Sequence, residues 1–405
     1  MLATLLSSDP ERHYRPSRPM RLILALGERL RVGTLAVTLP DGSLRRFGGA
    51  EPGPDAVLHV HRDRLARRFL VGGKLGFCEA YLDGDWSSPD AEALFTFFLL
   101  NEAALAEAMQ GRPWFRALQR AAHLLRGNDR RGARRNIAAH YDLGNAFYEH
   151  WLDPTMTYSS ALFEPEAADL AAAQRNKYAA LARRLGMAPG DRVLEIGCGW
   201  GGFALYAAGE VGAHVTAITI SEAQCAYARR RVHEAGLAER VDVQLRDYRD
   251  VDGRFDRIAS IEMFEAVGET YWPAFFRTVR ERLTSGGTAA LQVITIADGH
   301  FERYRRGADY IQRYIFPGGM LPSPSALRRQ IERAGLSLRD WAGFGGDYVR
   351  TLREWNRRFQ AAWPDIQGQG FDPRFKRMWE QYLHYCAAGF RTGRIDVVQV
   401  ALRRD

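Results

Sequence analysis

Two things are scarce in this 405-residue chain, cysteine and uninterrupted hydrophobic sequence, and each scarcity excludes a class of protein. The four cysteines, Cys78, Cys198, Cys225 and Cys386, include no pair close enough to form a CxxC motif. A disulfide framework or a cysteine zinc site is therefore not expected, and a reducing cytoplasm fits. His59 and His61 share a face if they lie on a strand, but no third ligand is near. They read as an ordinary strand pair, and no metal is expected. The longest strongly apolar stretch, Ala93–Leu100, is far short of the roughly 20 residues that a membrane span needs. Residues Met1 to Arg12 have no long apolar core and meet Pro10 early, so they do not read as a signal peptide. A protein of this kind that works on lipid must reach the bilayer from the water side. There are no internal repeats and no low-complexity segment.

What is present describes a folded, basic protein. Hydrophobic residues make up 46% and charged residues 26%, a globular composition. Lys plus Arg is 56 against 48 for Asp plus Glu, a net charge of +8, which favours anionic partners such as nucleic acid, anionic lipid or acidic metabolites. At roughly 100–200 residues per domain the length predicts two or three units.

Residues 1–125 read as a smaller first domain of α+β type. Strands are expected at Thr34–Leu39 and Val57–His61, with a turn at Asp41–Gly42 between them, and helices at Arg62–Val71 and Pro89–Gln110. A basic linker, 126–150, leads into a larger domain, 151–405. Between Arg112 and Arg135 stand eight arginines. Trp114, Phe115, Leu118, Ala122 and Leu125 fall on one helical face there, with arginines on the others. That is the pattern of an interfacial helix whose aromatics enter the headgroup boundary while cations meet phosphates; a solvated helix packed on the next domain reads the same way. Basic residues do not alternate with a stacking platform, so a nucleic-acid partner is not expected. From about residue 136 strand and helix alternate. Strands are expected at Arg192–Ile196, His214–Ile220, Val241–Leu245, Phe255–Ile261, Thr288–Ile296 and Val397–Leu402. Helices are expected at Gly202–Val211, Glu222–Gly236, Thr270–Leu283, Pro324–Ala334, Tyr348–Trp363 and Pro373–Phe390. The expected fold is a doubly wound α/β sheet, with ligands beyond the carboxyl ends of its strands.

The strongest local signal is Val193-Leu194-Glu195-Ile196-Gly197-Cys198-Gly199-Trp200-Gly201-Gly202, a buried strand running into glycines and then a helix. Glycine permits the tight turn and the close approach of a ligand to the backbone. Gly197, Gly199 and Gly202 also satisfy GxGxxG, so the glycines alone do not separate a dinucleotide from S-adenosylmethionine. The flanks favour the latter. Glu195 precedes the first glycine by two positions, the second strand ends in Thr219-Ile220-Ser221 with no carboxylate for a ribose, and the third ends in Arg246-Asp247-Tyr248. Asp247 can accept from an adenine amino group and Tyr248 can cover the ring; both Glu195 and Asp247 also suit N-capping or surface placement.

His140-Tyr141-Asp142-Leu143-Gly144-Asn145, Leu152-Asp153-Pro154-Thr155-Met156-Thr157-Tyr158-Ser159, the glycine loop, Arg246-Asp247-Tyr248-Arg249-Asp250, Met263-Phe264-Glu265, Tyr314-Ile315-Phe316-Pro317-Gly318-Gly319 and Phe390-Arg391 together resemble the cyclopropane-fatty-acyl-phospholipid synthases and their mycolic-acid-modifying relatives. The resemblance runs from about residue 62 to the C-terminus. It implies a class I S-adenosylmethionine-dependent methyltransferase domain, Rossmann-like, behind a small lipid-addressing domain. Unsaturated phospholipids at the inner face of the membrane would be the substrate, and a homodimer is left open. Tyr158 and Ser159 would cover the donor. Glu195, Gly197, Gly199, Gly201, Thr219, Gln224, Asp247 and Tyr248 would hold the rest of it. A segment at about 297–321 would cover the acyl pocket.

In this family the alkene takes a methyl group, becomes a carbocation, and loses a proton as the ring closes. The resemblance assigns that proton to a bound bicarbonate held by a Cys, a Glu, a His, a Tyr and a backbone amide. Glu265 matches the Glu and Tyr348 the Tyr, whereas Ser160 stands for the Cys and Gln292 for the His. Both can donate hydrogen bonds but neither is charged near neutrality. Glu265 is therefore expected to orient the base, with Tyr348 as its partner. Cys386 matches a cysteine associated with catalysis in the family, and it also suits an ordinary place in a core. Tyr141, Phe147, Trp200, Phe264, Tyr310, Tyr314 and Phe316 are candidate aromatic faces for the cation, each equally suited to packing. The leading expectation is a cyclopropane product. A methyl- or methylene-branched chain from the same donor and acceptor is the alternative. A non-catalytic lipid-binding relative is disfavoured by the intact glycine loop and Glu265, and a nicotinamide-linked oxidoreductase by the missing acid after the second strand.

Overall fold

The computed structural model describes residues 14–110, 143–164, 167–307 and 309–405. The chain divides into two compact units, Met1–Gly127 and Asn128–Asp405.

In the first unit, strands β1 (Val32–Thr38), β2 (Leu44–Gly48), β3 (Glu51–Val60) and β4 (Trp86–Ser87) form a sheet of order β2-β1-β3-β4. The turn at Asp41–Gly42 joins β1 to β2, a short, largely exposed strand that the sequence pattern does not announce. Helices α1 (Arg18–Leu26), α2 (Arg64–Leu82), α3 (Ala91–Leu100) and α4 (Glu102–Gln110) complete it. The helix expected to end at Val71 continues through a kink at Gly73, φ +58°, to Leu82. The single helix expected over 89–110 is interrupted at Asn101. The buried side-chain amide of Asn101 accepts from the backbone amides of Arg31 and Val32 at 2.8 and 3.1 Å and donates to the Val32 carbonyl, which ties this break to the start of β1. His61 bonds Ser87 Oγ at 2.8 Å.

In the second unit the helices are α5 (Asn145–Glu149), α6 (Leu170–Leu185), α7 (Gly202–Tyr206), α8 (Glu222–Glu234), α9 (Trp272–Arg282), α10 (Asp298–Tyr304), α11 (Tyr310–Tyr314), α12 (Pro324–Arg333), α13 (Gly345–Ala361), α14 (Trp363–Gly368) and α15 (Pro373–Arg391). The strands are β5 (Arg192–Ile196), β6 (His214–Thr219), β7 (Val241–Leu245), β8 (Phe255–Ile261), β9 (Leu283–Ile296), β10 (Ser337–Gly343) and β11 (Ile395–Arg403). They form one sheet of order β10-β11-β9-β8-β5-β6-β7, parallel from β7 to β9, with β11 and β10 antiparallel. This is the expected doubly wound α/β fold of the class I methyltransferases. Its two faces are covered by separate cores, one around Leu194, Phe264, Phe275 and Leu291, the other around Tyr178, Leu181, Phe203 and Val215. The order reverses between β5 and β8, so the loops after these adjacent strands face each other across the crevice where such sheets bind ligands.

No helix among the described residues is long and apolar enough to cross a membrane. The arginine-rich segment and the His140-Tyr141-Asp142 motif lie outside the described residues.

Candidate active site

The loop after β5 is shaped by backbone. Gly197, Gly199 and Gly201 have φ of +84°, +52° and +85°, in the left-handed region where a Cβ is costly. The amides of Gly197 and Cys198 both donate to the Ile218 carbonyl, at 3.0 and 2.9 Å, pinning the turn to the tip of β6. A Cβ on Gly197 would lie 2.5 Å from Met263 Cγ, and one on Gly202 2.3 Å from the Tyr178 hydroxyl. A Cβ on Gly199 would meet nothing within 4 Å. That open face is where a ligand can approach the main chain.

Glu195 lies buried beneath the turn. Its Oε2 has no hydrogen-bond partner among the described residues. Burial pushes its carboxyl up to about 8, opposed by Lys177 and by the Ala204 amide. At the tips of the next strands, Thr219 Oγ1 donates to Gln224 Oε1 at 3.0 Å, Ile220 is 78% exposed, and Tyr248 packs on Phe275. The Asp247 carboxylate receives Arg249 Nε and Nη2 at 2.8 and 2.7 Å, which holds it below the usual carboxylate range. An exposed apolar tip beside an ionised acceptor suits an adenosine, and the orphan oxygen under the glycine turn suits a polar ligand above it.

The loop after β8 is shaped by side chains. Ser160, Gln292 and Tyr348 do converge, and they converge on Glu262. Glu262 Oε1 accepts from the Ser160 amide at 2.8 Å and from Gln292 Nε2 at 2.7 Å, while Oε2 accepts from the Tyr348 hydroxyl at 2.6 Å. The Ser160 hydroxyl instead donates to the Ala161 carbonyl. Gln292 is oriented from behind: its Oε1 accepts from Gln399 Nε2 at 3.0 Å, across the β9–β11 register that pairs the two residues. Glu262 has φ +48°, one of two non-glycine residues with positive φ among the described residues. Such strain persists where the surroundings over-determine it, and it collects at functional sites. Burial raises the Glu262 carboxyl, while Tyr348, Gln292, Lys177 and the Ser160 amide pull it back down.

Glu265 is differently placed. It accepts the Ile294 amide, its Oε2 is buried without a partner among the described residues, and burial together with the charge of Glu262 pushes it up to about 8. Two interacting carboxyls whose surroundings hold them apart divide acid and base roles between them.

Aromatic rings cluster beside Tyr348, the partner of Glu262. The Tyr348 ring lies 4.4 Å from Phe390 and 6.0 Å from Trp355, and Tyr158 lies 5.3 Å from Trp355 and 6.1 Å from Phe316. Tyr158 donates its hydroxyl to Tyr382 at 2.9 Å. The expected cover, 297–321, carries α10 and α11 and returns to the site where the Met320 amide donates to the Glu265 carbonyl at 2.8 Å. Of the aromatics proposed from sequence, Phe316 belongs to this cluster, whereas Phe147, Phe264 and Tyr310 are buried in packing. Trp200 donates its indole N–H to Asn145. Cys386 is part-buried, and burial pushes its thiol far above the ordinary range, which favours its protonated form. Ser159 is buried, with its hydroxyl accepting from Lys177 Nζ at 2.6 Å.

Glu262, Lys177, Gln399, Trp355 and Tyr382 are absent from the sequence reading. Lys177 is fully buried, and its ammonium, lowered to about 7 by desolvation, faces Glu262, Asp153 and Glu195. One signal for Glu262 existed: an acid directly after a buried strand and three residues before Glu265.

Residues 128–400 match the family model described as mycolic acid cyclopropane synthetase. The chain is 40% identical over 378 residues to a tuberculostearic acid methyltransferase of Mycobacterium tuberculosis, covering 88% of this chain and 85% of that one. It is 37% identical over 351 residues to the cyclopropane-fatty-acyl-phospholipid synthase of Escherichia coli, covering 86% and 88%. Among solved structures, a mycolic acid cyclopropane synthase complexed with SAH and CTAB superposes with a TM-score of 0.62 at 31% identity, covering 66% of this chain and 97% of that one.

Proposed function

The chain belongs to the mycolic acid cyclopropane synthetase family and is an S-adenosylmethionine-dependent methyltransferase, and on that premise we propose that it methylates the cis double bond of unsaturated acyl chains in membrane phospholipids, giving cyclopropane chains. One observation carries the reading: the glycine turn after β5 and the carboxylates after β8 face each other across the crevice, with aromatic rings clustered beside Tyr348, the partner of Glu262. When bound, S-adenosylmethionine supplies an electrophilic methyl group. Gly197, Gly199 and Gly201 shape the turn that would hold it, Asp247 and Tyr248 the seat of its adenine, and Tyr158 and Ser159 its cover.

An isolated alkene is a weak nucleophile, so the chain must position it and stabilise the cation that methylation leaves. The faces of Tyr158, Tyr348, Trp355 and Phe316 suit a cation that has no counterion of its own. A carboxylate then removes a proton from the transferred carbon. The E. coli relative is named for phospholipid acyl chains, which supports that acceptor. The basic segment Arg112–Arg135 supports approach to an anionic surface.

A branched product is a second reading. It is favoured by the replacement of two cradle residues by Ser160 and Gln292, and by the relative named a tuberculostearic acid methyltransferase. Expression in cells whose phospholipids carry unsaturated but neither branched nor cyclised chains tests both. Fatty acid methyl esters should gain one CH2 by mass spectrometry. Proton resonances of a ring identify the leading reading, and those of an exocyclic methylene the second. Acyl chains of unchanged mass sink the proposal.

A further inference from the structure

The cradle does not fit the bicarbonate that the family resemblance implies. The Ser160 amide and the Tyr348 hydroxyl each have one proton to donate, and both are spent on Glu262. Gln292 Nε2 has two, directed at Glu262 and at the Ser160 carbonyl. The Ile294 amide is spent on Glu265. A bound anion would find these donors engaged and would meet the Glu262 carboxylate in their midst.

We propose that the Glu262 carboxylate is itself the base of the reaction, a resident anion standing where a dissolved one would otherwise be held. This rests on the reading that the substrate is an alkene. Three features of the geometry argue for it. A carboxylate offers about four lone pairs. Three donors engage Glu262, two on Oε1 and one on Oε2, which leaves one position on Oε2 for a proton. Glu262 as a residue is part-buried rather than fully enclosed. Its backbone is held at φ +48°, a conformation that an ordinary packing residue at a strand end does not need.

The step balances without a co-reactant. After methyl transfer the positive charge sits on the alkene carbon next to the one that carries the new methyl. Glu262 Oε2 takes a proton from that methyl group. The released C–H electron pair forms the bond to the cationic carbon and closes the ring. If a hydride first moves from the methyl-bearing carbon to its cationic neighbour, the same proton transfer places the pair between methyl carbon and chain, giving an exocyclic methylene. Glu262 serves either outcome, so the inference does not depend on which product forms.

The test uses the full chain, carbon-13 bicarbonate, and vesicles of unsaturated phospholipid. The parent should show no bicarbonate binding by NMR and unchanged turnover in bicarbonate-free buffer. Glu262→Gln should keep its affinity for S-adenosylhomocysteine and lose about a hundredfold or more in turnover. Glu262→Gly empties the cradle and relieves the positive φ. It should bind bicarbonate and regain part of its turnover when bicarbonate is added. Bicarbonate binding by the parent, dependence of its turnover on bicarbonate, or full activity of Glu262→Gly without it overturns the inference. Failure of the parent to methylate phospholipid would overturn the substrate reading alone, because the binding arms need no lipid.

Discussion

The loops after β5 and β8 stand side by side at the same end of the sheet and are built by opposite means. The first is a path of the main chain: three glycines take conformations closed to other residues, and what matters is the absence of side chains. The second is a meeting of three side chains, those of Glu262, Gln292 and Tyr348, with the backbone amide of Ser160, from four separate stretches. A backbone device binds something whose shape is fixed, whereas a side-chain device sets where charge and protons reside. The donor end and the base end should therefore fail independently.

The largest expected effect separates the two carboxylates of the second loop. Glu262→Gln should cut turnover about a hundredfold or more. Glu265→Gln, at a carboxyl held protonated up to about pH 8, should cost about tenfold at most, because an amide resembles a neutral acid. Steady-state kinetics on both variants decides this, and equal losses would erase the distinction. Next, Gly197→Ala should break the independence of the two loops. It adds left-handed strain of about 1–2 kcal/mol and drives a Cβ to within 2.5 Å of Met263, the neighbour of Glu262. Both donor affinity and turnover should fall, as read by calorimetric titration and assay.

Gly199→Ala, whose Cβ meets no protein atom, should weaken S-adenosylhomocysteine about tenfold by calorimetry, the equivalent of about 1.4 kcal/mol, with turnover at saturating donor nearly kept. The smallest effect is a shift in pH. Glu262 is faced by Lys177 from α6, Glu265 from its own loop, Tyr348 from α13 and Tyr382 from α15. The base works ionised, so activity falls as pH drops through its pKa, which burial sets above the ordinary glutamate range. The Tyr348 hydroxyl lowers that pKa. Tyr348→Phe should therefore move the acidic limb of the kcat/KM profile to higher pH, with only a several-fold loss at the optimum. An unmoved limb would mean that another group titrates.

The same contrast explains what the sequence discloses. Gly197, Gly199 and Gly201 can be read because a conformational need maps onto one residue type at fixed spacing. Strands β5, β6 and β8 can be read because most of their residues are buried, and β7 because it alternates buried and exposed residues along the sheet edge. Strand β10 cannot, since Arg339 and Asp340 interrupt an edge strand with one unpaired side. Helix α6 has its signals, an Asp169 N-cap and a left-handed Gly186, but stands between motifs that draw the eye. The cradle was half legible. Ser160, Gln292 and Tyr348 could be named because they resemble a family's donors, but not the acceptor they share. Glu262 occupies a backbone conformation that propensity reserves for glycine or asparagine, and its partners lie 30 to 102 residues away.

The hydrogen bond from Gln399 to Gln292 has a consequence for what can vary in this site. An imidazole chooses between giving and receiving a proton according to the solution around it. An amide has no such choice; it can only be turned over, and the donor on the antiparallel last strand forbids that. Gln292 thus presents the same face to Glu262 at every pH at which the sheet survives. The polarity of the cradle is written into the pairing of β9 with β11, and only the acids and the Lys177 ammonium are left to respond to the medium.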